Sequence, residues 1–302
     1  DKLSSRLTLL VDLATGRYDV GFAGELERYA IPGLGIIDVR TNLKFVPGAG
    51  GKGTILAGTG QAWVRRLDNK FLASLTQGLP QIETRLLRGA DGILRFNNLR
   101  LTAPGITLIG NGIRRADGTF LFEASGRQAR YGPIVRLRLD GPIQRPRLDI
   151  VFKSPNDAMG LSDVNLLLDP NAAAYVWNAR GGSTLGNFTG AGTILLPTGG
   201  AATINVAALD VSGINARGSL ISRDGGFEGG LTLSGSGISG GLDFAPAGNI
   251  QRIEAHLKAR DARLNGPPLM SAQRGQLDVV MLLDPAGTTI DATISGQGLS
   301  RG

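Results

Sequence analysis

The sequence predicts an all-β protein, built as one long, curved antiparallel meander. Three observations carry this. Apolar and polar residues alternate at a period of two in run after run, as in strands with one covered face. Gly and Pro supply 46 and 14 of the 302 residues, a share that disfavours long helices, because an interior Gly costs a helix about 1 kcal/mol. Asp-Gly pairs and similar turn signals separate the runs every 10–15 residues or so, the spacing of strands joined by tight hairpins.

The clearest strand sets Ile37, Val39, Thr41, Leu43 and Phe45 on one face, with Asp38, Arg40, Asn42 and Lys44 on the other. Val135, Leu137 and Leu139 alternate with Arg136, Arg138 and Asp140. Leu148, Ile150 and Phe152 alternate with Arg147, Asp149 and Val151. Ile253, Ala255, Leu257 and Ala259 alternate with Glu254, His256, Lys258 and Arg260, and Ile290, Ala292 and Ile294 with Asp291, Thr293 and Ser295. Less regular strands are expected at 7–13, 18–23, 119–124, 164–168, 192–196, 203–208, 214–221, 227–233 and 277–283. Turns are expected at Ala14–Arg17, Asp91-Gly92, Asp117-Gly118, Asp224-Gly225 and Asp284–Gly287.

One stretch departs from this period. Leu67, Phe71 and Leu75 recur every fourth residue, which predicts a short amphipathic helix over 68–77. Asp68 is placed to cap its start, Gly78 to close it, and Pro80 forbids its continuation. The phrase Leu166–Ala172 is echoed at Met281–Gly287, which suggests a repeated hairpin plan. No linker-like segment divides the chain, so one elongated unit over 1–302 is expected, with a soft division near 153–160.

Composition removes several function classes. There is no Cys and a single His, His256, so thiolate chemistry is excluded, and any His-dependent site must pass through that residue. Gly235–Gly240 fits a dinucleotide-loop pattern and Gly237–Gly241 a nucleophile-elbow pattern. Both need a following helix, and strand pattern follows instead. Pro47–Thr54 resembles a phosphate loop but lacks the Ser or Thr after its Lys, and reads as a glycine-rich hairpin loop. Asn187-Phe188-Thr189 fits a glycosylation sequon, which has meaning only in a eukaryotic secretory context. No pair of carboxylates stands out for acid–base work, so the chain is expected not to be an enzyme and to need no cofactor or metal.

Charge is uneven. Residues 1–153 hold 23 Lys and Arg against 13 Asp and Glu, and residues 154–302 hold 9 against 12. A basic half suits an anionic partner; a solvated face of strand arginines is the more ordinary account of it. Aromatics make up 5% of the chain and do not interleave with Arg, which disfavours nucleic acid. No apolar run is long enough for a membrane-spanning helix. The chain starts with Asp1 and stops within an alternating pattern, so a longer parent protein is expected.

A half-apolar sheet with few aromatics and almost no helix needs another cover. A curved meander with aliphatic inward positions leaves a trough suited to acyl chains, each buried methylene contributing about 0.8 kcal/mol. Candidate lining residues by alternation are Ile37, Val39, Leu43, Phe45, Val135, Leu137, Leu139, Leu148, Ile150, Phe152, Ile253, Leu257, Ile290 and Ile294, each of which fits ordinary core as well. The Leu67, Phe71 and Leu75 stripe is expected to rest on the trough wall or to cap one end.

Three phrases carry a family resemblance: Leu94–Pro104 (LRFNNLRLTAP), Arg130–Arg147 from its Tyr-Gly-Pro to its Gly-Pro-Ile-Gln-Arg-Pro-Arg, and Ala179–Phe188 (ARGGSTLGNF). With the glycine-punctuated meander around them, they resemble the TamB family within the AsmA-like bridge-type lipid transfer proteins. The resemblance is one of style over most of the chain, with no diagnostic catalytic motif. It implies a middle segment of a Gram-negative protein, periplasmic, with the full-length protein anchored in the inner membrane. It implies a taco-like sheet around a hydrophobic groove, and passage of phospholipids from inner to outer membrane. The alternative it leaves open is a scaffold of the translocation and assembly module, aiding outer-membrane protein insertion or secretion. Implied partners are phospholipid acyl chains and an outer-membrane barrel protein met through a region outside this segment. A structural β-solenoid passenger is a further alternative, opposed by the hairpin turns, because parallel strands cannot use two-residue connections.

Overall fold

The structure, a computed structural model, describes residues 2–14, 17–32, 34–47, 54–68, 70–155, 160–172, 174–197, 200–223, 226–248, 250–264, 270–284, 287–298 and 300–301. The fold is all-β: curved antiparallel meanders of strands adjacent in sequence, as the alternation predicts. The chain divides into two compact units, one of residues 1–129 with 133–150, the other of 130–132 with 151–302. The turns expected at Ala14–Arg17, Asp224-Gly225 and Asp284–Gly287, and the glycine loop at Pro47–Thr54, lie wholly or in part outside the described residues.

In the first unit the strands are β1 (Lys2–Asp12), β2 (Arg17–Ile31), β3 (Gly35–Pro47), β4 (Thr54–Leu67), β5 (Gln81–Arg88), β6 (Leu94–Ala103), β7 (Ile106–Arg114) and β8 (Phe120–Gln128). They pair in sequence order, each antiparallel to the next. β9 (Gly132–Gly141) and β10 (Arg147–Phe152) follow, and Arg136 on β9 meets Asp149 on β10 at 3.0 Å. Strands are longer than the alternation alone delimits, because interior glycines do not end a strand in a bent sheet.

Bulges bend the ladders. Arg28 and Asn98 take left-handed φ values of 56° and 51° inside β2 and β6, where the register shifts. Each freed N–H is taken up by a neighbouring strand: Arg28 N donates to Asp38 Oδ1 at 2.8 Å and Asn98 N to Asn111 Oδ1 at 2.9 Å. Asp38 is held below the usual carboxylate range by that backbone donor and by Arg65. Such bulges add local twist and curvature.

Helix α1 spans Lys70–Thr76, shorter than the expected 68–77. Leu67 is the last residue of β4, not part of the helix. Asp68 does not cap it, since its carboxylate takes Arg66 at 2.6 Å and its N–H donates to Leu34 O. The chain turns left-handed at Gln77, φ 51°, one residue before Gly78. The helix end is tied down by Gln128, fully buried on β8, whose Nε2 donates to Leu75 O at 3.2 Å, and by Gly105 N, which donates to Thr76 O at 2.7 Å. Leu72 and Leu75 are half-buried against this end of the sheet.

In the second unit the strands are β11 (Ser162–Pro170), β12 (Ala174–Ser183), β13 (Gly186–Leu195), β14 (Thr203–Val211), β15 (Ile214–Arg223), β16 (Gly226–Gly235), β17 (Ile238–Ala247), β18 (Ile250–Leu264), β19 (Met270–Asp284), β20 (Gly287–Gln297) and the short β21 (Ser300–Arg301). They too pair in order, β21 joining β19 beside β20. The echoed phrases end β11 and β19, each leading into a hairpin. At a few residues β15 and β17, which flank β16, come closer together than the roughly 9.5 Å of two ladder spacings in a flat sheet. Gly229 in β16 and Gly240 in β17 adopt φ values of 138° and 154°, open to Gly alone, and a Cβ at either would strike the neighbouring strand's backbone.

Candidate apolar binding face

Residues opposite one another in an antiparallel ladder share a face, so the registers assign every side chain. In the first unit one row runs through Leu7, Phe22, Leu43, Gly58, Leu86, Phe96, Gly112 and Phe122. A second runs through Leu3, Leu26, Val39, Ala62, Ile82, Leu101 and Leu108. Between them lies a row of small residues, Ser5, Gly24, Thr41, Gly60 and Thr84. Two apolar rails therefore flank a shallow floor. Among the described side chains registered on this face of β1–β8, the charged ones are Arg88 and Arg114, both at strand ends.

The second unit repeats the arrangement. One row runs through Leu168, Trp177, Gly192, Val206, Gly218, Leu231, Leu242, Ala255 and Val279. Another holds Tyr175, Ile194, Ile204, Leu220, Gly229, Phe244, Ile253 and Met281. From Asn165 on β11 to Ala259 on β18, and from Gly275 on β19 through β20, no charged residue is registered on this face among the described residues.

Bulky and absent side chains are paired across the ladders. Trp177 covers Gly190 and Gly192, where a Cβ would come within 2.9 and 2.7 Å of its ring, and Phe122 lies over Gly112. Large rings thereby occupy space that a Cβ on the facing strand would take, as when aromatic residues shield strand glycines. Phe96, Phe120 and Phe122 cluster with ring centroids 5.3–6.2 Å apart.

The residues singled out by alternation fall as follows. Ile37, Val39, Leu43 and Phe45 lie half-buried on the apolar face of β3. Leu137, Leu139 and Leu148 are half-buried and Ile150 is buried. Val135 stands 54% exposed, while Ile134 beside it is 4% exposed, because the alternation breaks at the consecutive exposed residues Val135 and Arg136. Phe152 packs edge-on to Tyr131 at 6.0 Å. Ile253 and Leu257 are half-buried and share rows with Ile290 and Ile294, which are 55% and 66% exposed at the last long strand. The side chain of Phe71 lies outside the described residues; Leu67 shares the apolar face with Gly35 and does not form a helical stripe with Leu75. Phe22, Leu86, Phe96, Phe122, Leu168 and Trp177 escaped the alternation reading. Phe122 shares its face with Ala124 and Gly126, and Trp177 with Ala179 and Gly181, which dilutes the apolar period there.

The opposite face carries the charges. Arg65 meets Asp38 at 2.6 Å, Arg115 meets Asp140 at 2.9 Å and Arg223 meets Glu228 at 2.6 Å, all solvent-facing pairs. Such pairs contribute little to stability. Asp91 is lowered to about 2 by Arg95 and by the Ile93 N–H.

The nucleophile-elbow and dinucleotide patterns fall on a hairpin: Gly235 pairs with Ile238, and strand β17 follows where either motif needs a helix. Ser239 and His256 share the exposed polar face, but no hydrogen bond joins them among the described residues. His256 Nδ1 instead lies 2.8 Å from Asp278 Oδ1, its partner in register, with Glu254 3.9 Å from Nε2. Asp278, then Glu254, raises the imidazole above its ordinary value, and His256 holds Asp278 below the carboxylate range. The pair contributes between those two values, fading upward as His256 loses its proton and downward as Asp278 gains one. With one histidine in the chain, its NMR titration is unambiguous. Asp278→Asn should bring the midpoint down toward about 6.5, and an unshifted midpoint would contradict the pairing.

Comparison of the chain with known protein families, with curated proteins and with solved structures finds no match to any of them.

Proposed function

We propose that this protein binds phospholipid acyl chains along the apolar sheet faces of its two units. On this reading, which draws on the resemblance to the TamB family, it is a periplasmic segment that serves the passage of phospholipids between inner and outer membrane. One observation supports the reading above the others: an apolar face almost free of charge, on which aliphatic residues that stay partly open to solvent run on from fully buried ones such as Leu86, Leu168 and Leu231. Leu43, Phe45, Ile253 and Leu257 are half-buried, whereas core side chains of a packed sandwich are fully enclosed. Such a lining fits flexible aliphatic chains, which need burial but no directional partner.

The test is native mass spectrometry with lipid extraction on protein purified from a Gram-negative host. Adducts of phospholipid mass that survive gentle purification, and binding of a fluorescent phospholipid to the delipidated protein, are expected. A lipid-free protein that also ignores the fluorescent phospholipid would overturn the proposal.

A further inference from the structure

We propose that Arg88 and Arg114 form a phosphate subsite at the rim of the first unit's apolar face, where they hold the head group of a phospholipid. This subsite rests on the acyl-chain reading above and deepens it. A third row of that face runs through Leu9, Val20, Phe45, Leu56, Arg88, Leu94, Arg114 and Phe120. All of its members are apolar except Arg88 and Arg114, which interrupt it on alternate strands, one either side of Leu94. Both are exposed.

Both guanidinium groups reach the turns that follow their strands. Arg88 Nε donates to Gly92 O at 3.2 Å, in the turn after β5. Arg114 Nη2 would lie 3.6 Å from a Cβ at Gly118, in the turn after β7. The stems therefore start on the apolar face and the charges end at its margin, as long cationic side chains do. The carboxylates of the same two turns are engaged elsewhere. Asp91 accepts from Arg95 and from the Ile93 N–H, and Asp117 from the N–H and hydroxyl of Thr119. Among the described residues neither Arg88 nor Arg114 has an ion pair, and apart from Arg88 Nε no nitrogen of either side chain donates to a protein acceptor.

Two cations on one apolar row, without a counter-ion, are placed for an anion that arrives with hydrocarbon attached. They stand two ladder spacings apart, roughly 9.5 Å at the backbone, and two flexible stems can turn both heads onto one phosphate between them. The planar guanidinium fork matches phosphate oxygens two at a time, which a Lys ammonium does not. The next row inward holds Leu86, Phe96 and Phe122. A free anion gains nothing from those side chains. A phospholipid uses both parts, its phosphate at the rim and its acyl chain on the rows beyond.

Two fluorescent probes with identical acyl chains test this on the delipidated protein: a phosphatidic acid, and a diacylglycerol that lacks the phosphate. The unaltered protein should bind the phosphatidic acid about tenfold more tightly, as expected of charge-assisted hydrogen bonds to one phosphate. Arg88→Gln with Arg114→Gln should abolish that preference and leave diacylglycerol binding unchanged. Arg85→Gln with Arg100→Gln removes the same charge from the polar face of β5 and β6 and should leave the preference intact. Inorganic phosphate in large excess should not displace the phosphatidic acid. Equal affinity of the unaltered protein for both probes would overturn the subsite and leave the acyl-chain reading standing; failure of both probes to bind would remove the two together. A preference lost equally in the polar-face pair would show general charge attraction, and displacement by inorganic phosphate would show a site for free anions. Either result overturns the assignment to a lipid head group.

Discussion

Leu168→Ala should destabilise the second unit by about 3 kcal/mol. Leu168 is 2% exposed and stands opposite Trp177. The indole cannot slide in to fill the space. It is held over Gly190 and Gly192, and its Nε1 donates to Asn205 O at 3.2 Å. The vacated volume thus persists as a cavity, and cavity cost adds to the lost transfer free energy. Ile290→Ala removes as much hydrocarbon from the same face but from a residue 55% exposed, so its cost should stay below about 1 kcal/mol. The chain has two tryptophans, Trp63 in the first unit and Trp177 in the second. In a Trp63→Phe background, urea unfolding followed by fluorescence reports the second unit. Equal midpoint shifts for Leu168→Ala and Ile290→Ala would show that the face is uniformly loose rather than packed around Trp177.

The contrast between these residues marks how far the sequence was legible. Strand period and turn chemistry are local, so the meander could be read from them, as could β3 with Ile37 through Phe45 on one face. What escaped is set by neighbours across the ladder. Trp177 and Phe122 matter because Gly192 and Gly112 lie opposite them, a relation invisible in strands read singly. Asn98 opens a bulge because Asn111 on the next strand receives its N–H, and nothing in the phrase Leu94–Pro104 signals that. Helix α1 shows the converse. Asp68 has the right chemistry for a cap, but Arg66 two residues earlier takes its carboxylate, and β4 extends through Leu67 to pair with Gly35. Exposure is non-local as well. Ile290 and Leu257 alternate identically, yet among the described residues one lies on a strand paired on one side only.

Leu257→Glu should cut phospholipid binding roughly 15-fold while leaving the circular dichroism of the sheet unchanged. Leu257 lies half-buried on the apolar face of β18, between Gly240 on one side and Leu277 on the other. With no ligand bound, a carboxylate there reaches water through the open side of the face, so folding tolerates it. With an acyl chain in place that route is closed. The chain must then give up contact with about two methylenes near the charge, which costs about 1.6 kcal/mol, equivalent to the stated factor. Lys258→Glu is the matched control. It changes the charge by more, one residue away, but on the polar face with His256 and Glu254, and binding should be unaffected. Fluorescent-phospholipid titration of the three delipidated proteins separates the outcomes. If Leu257→Glu binds as the unaltered protein does, the apolar face is not where the acyl chain lies. If Lys258→Glu loses as much as Leu257→Glu, the lipid is held by charge on the opposite face, and the basic residues there, not the aliphatic rows, recognise it.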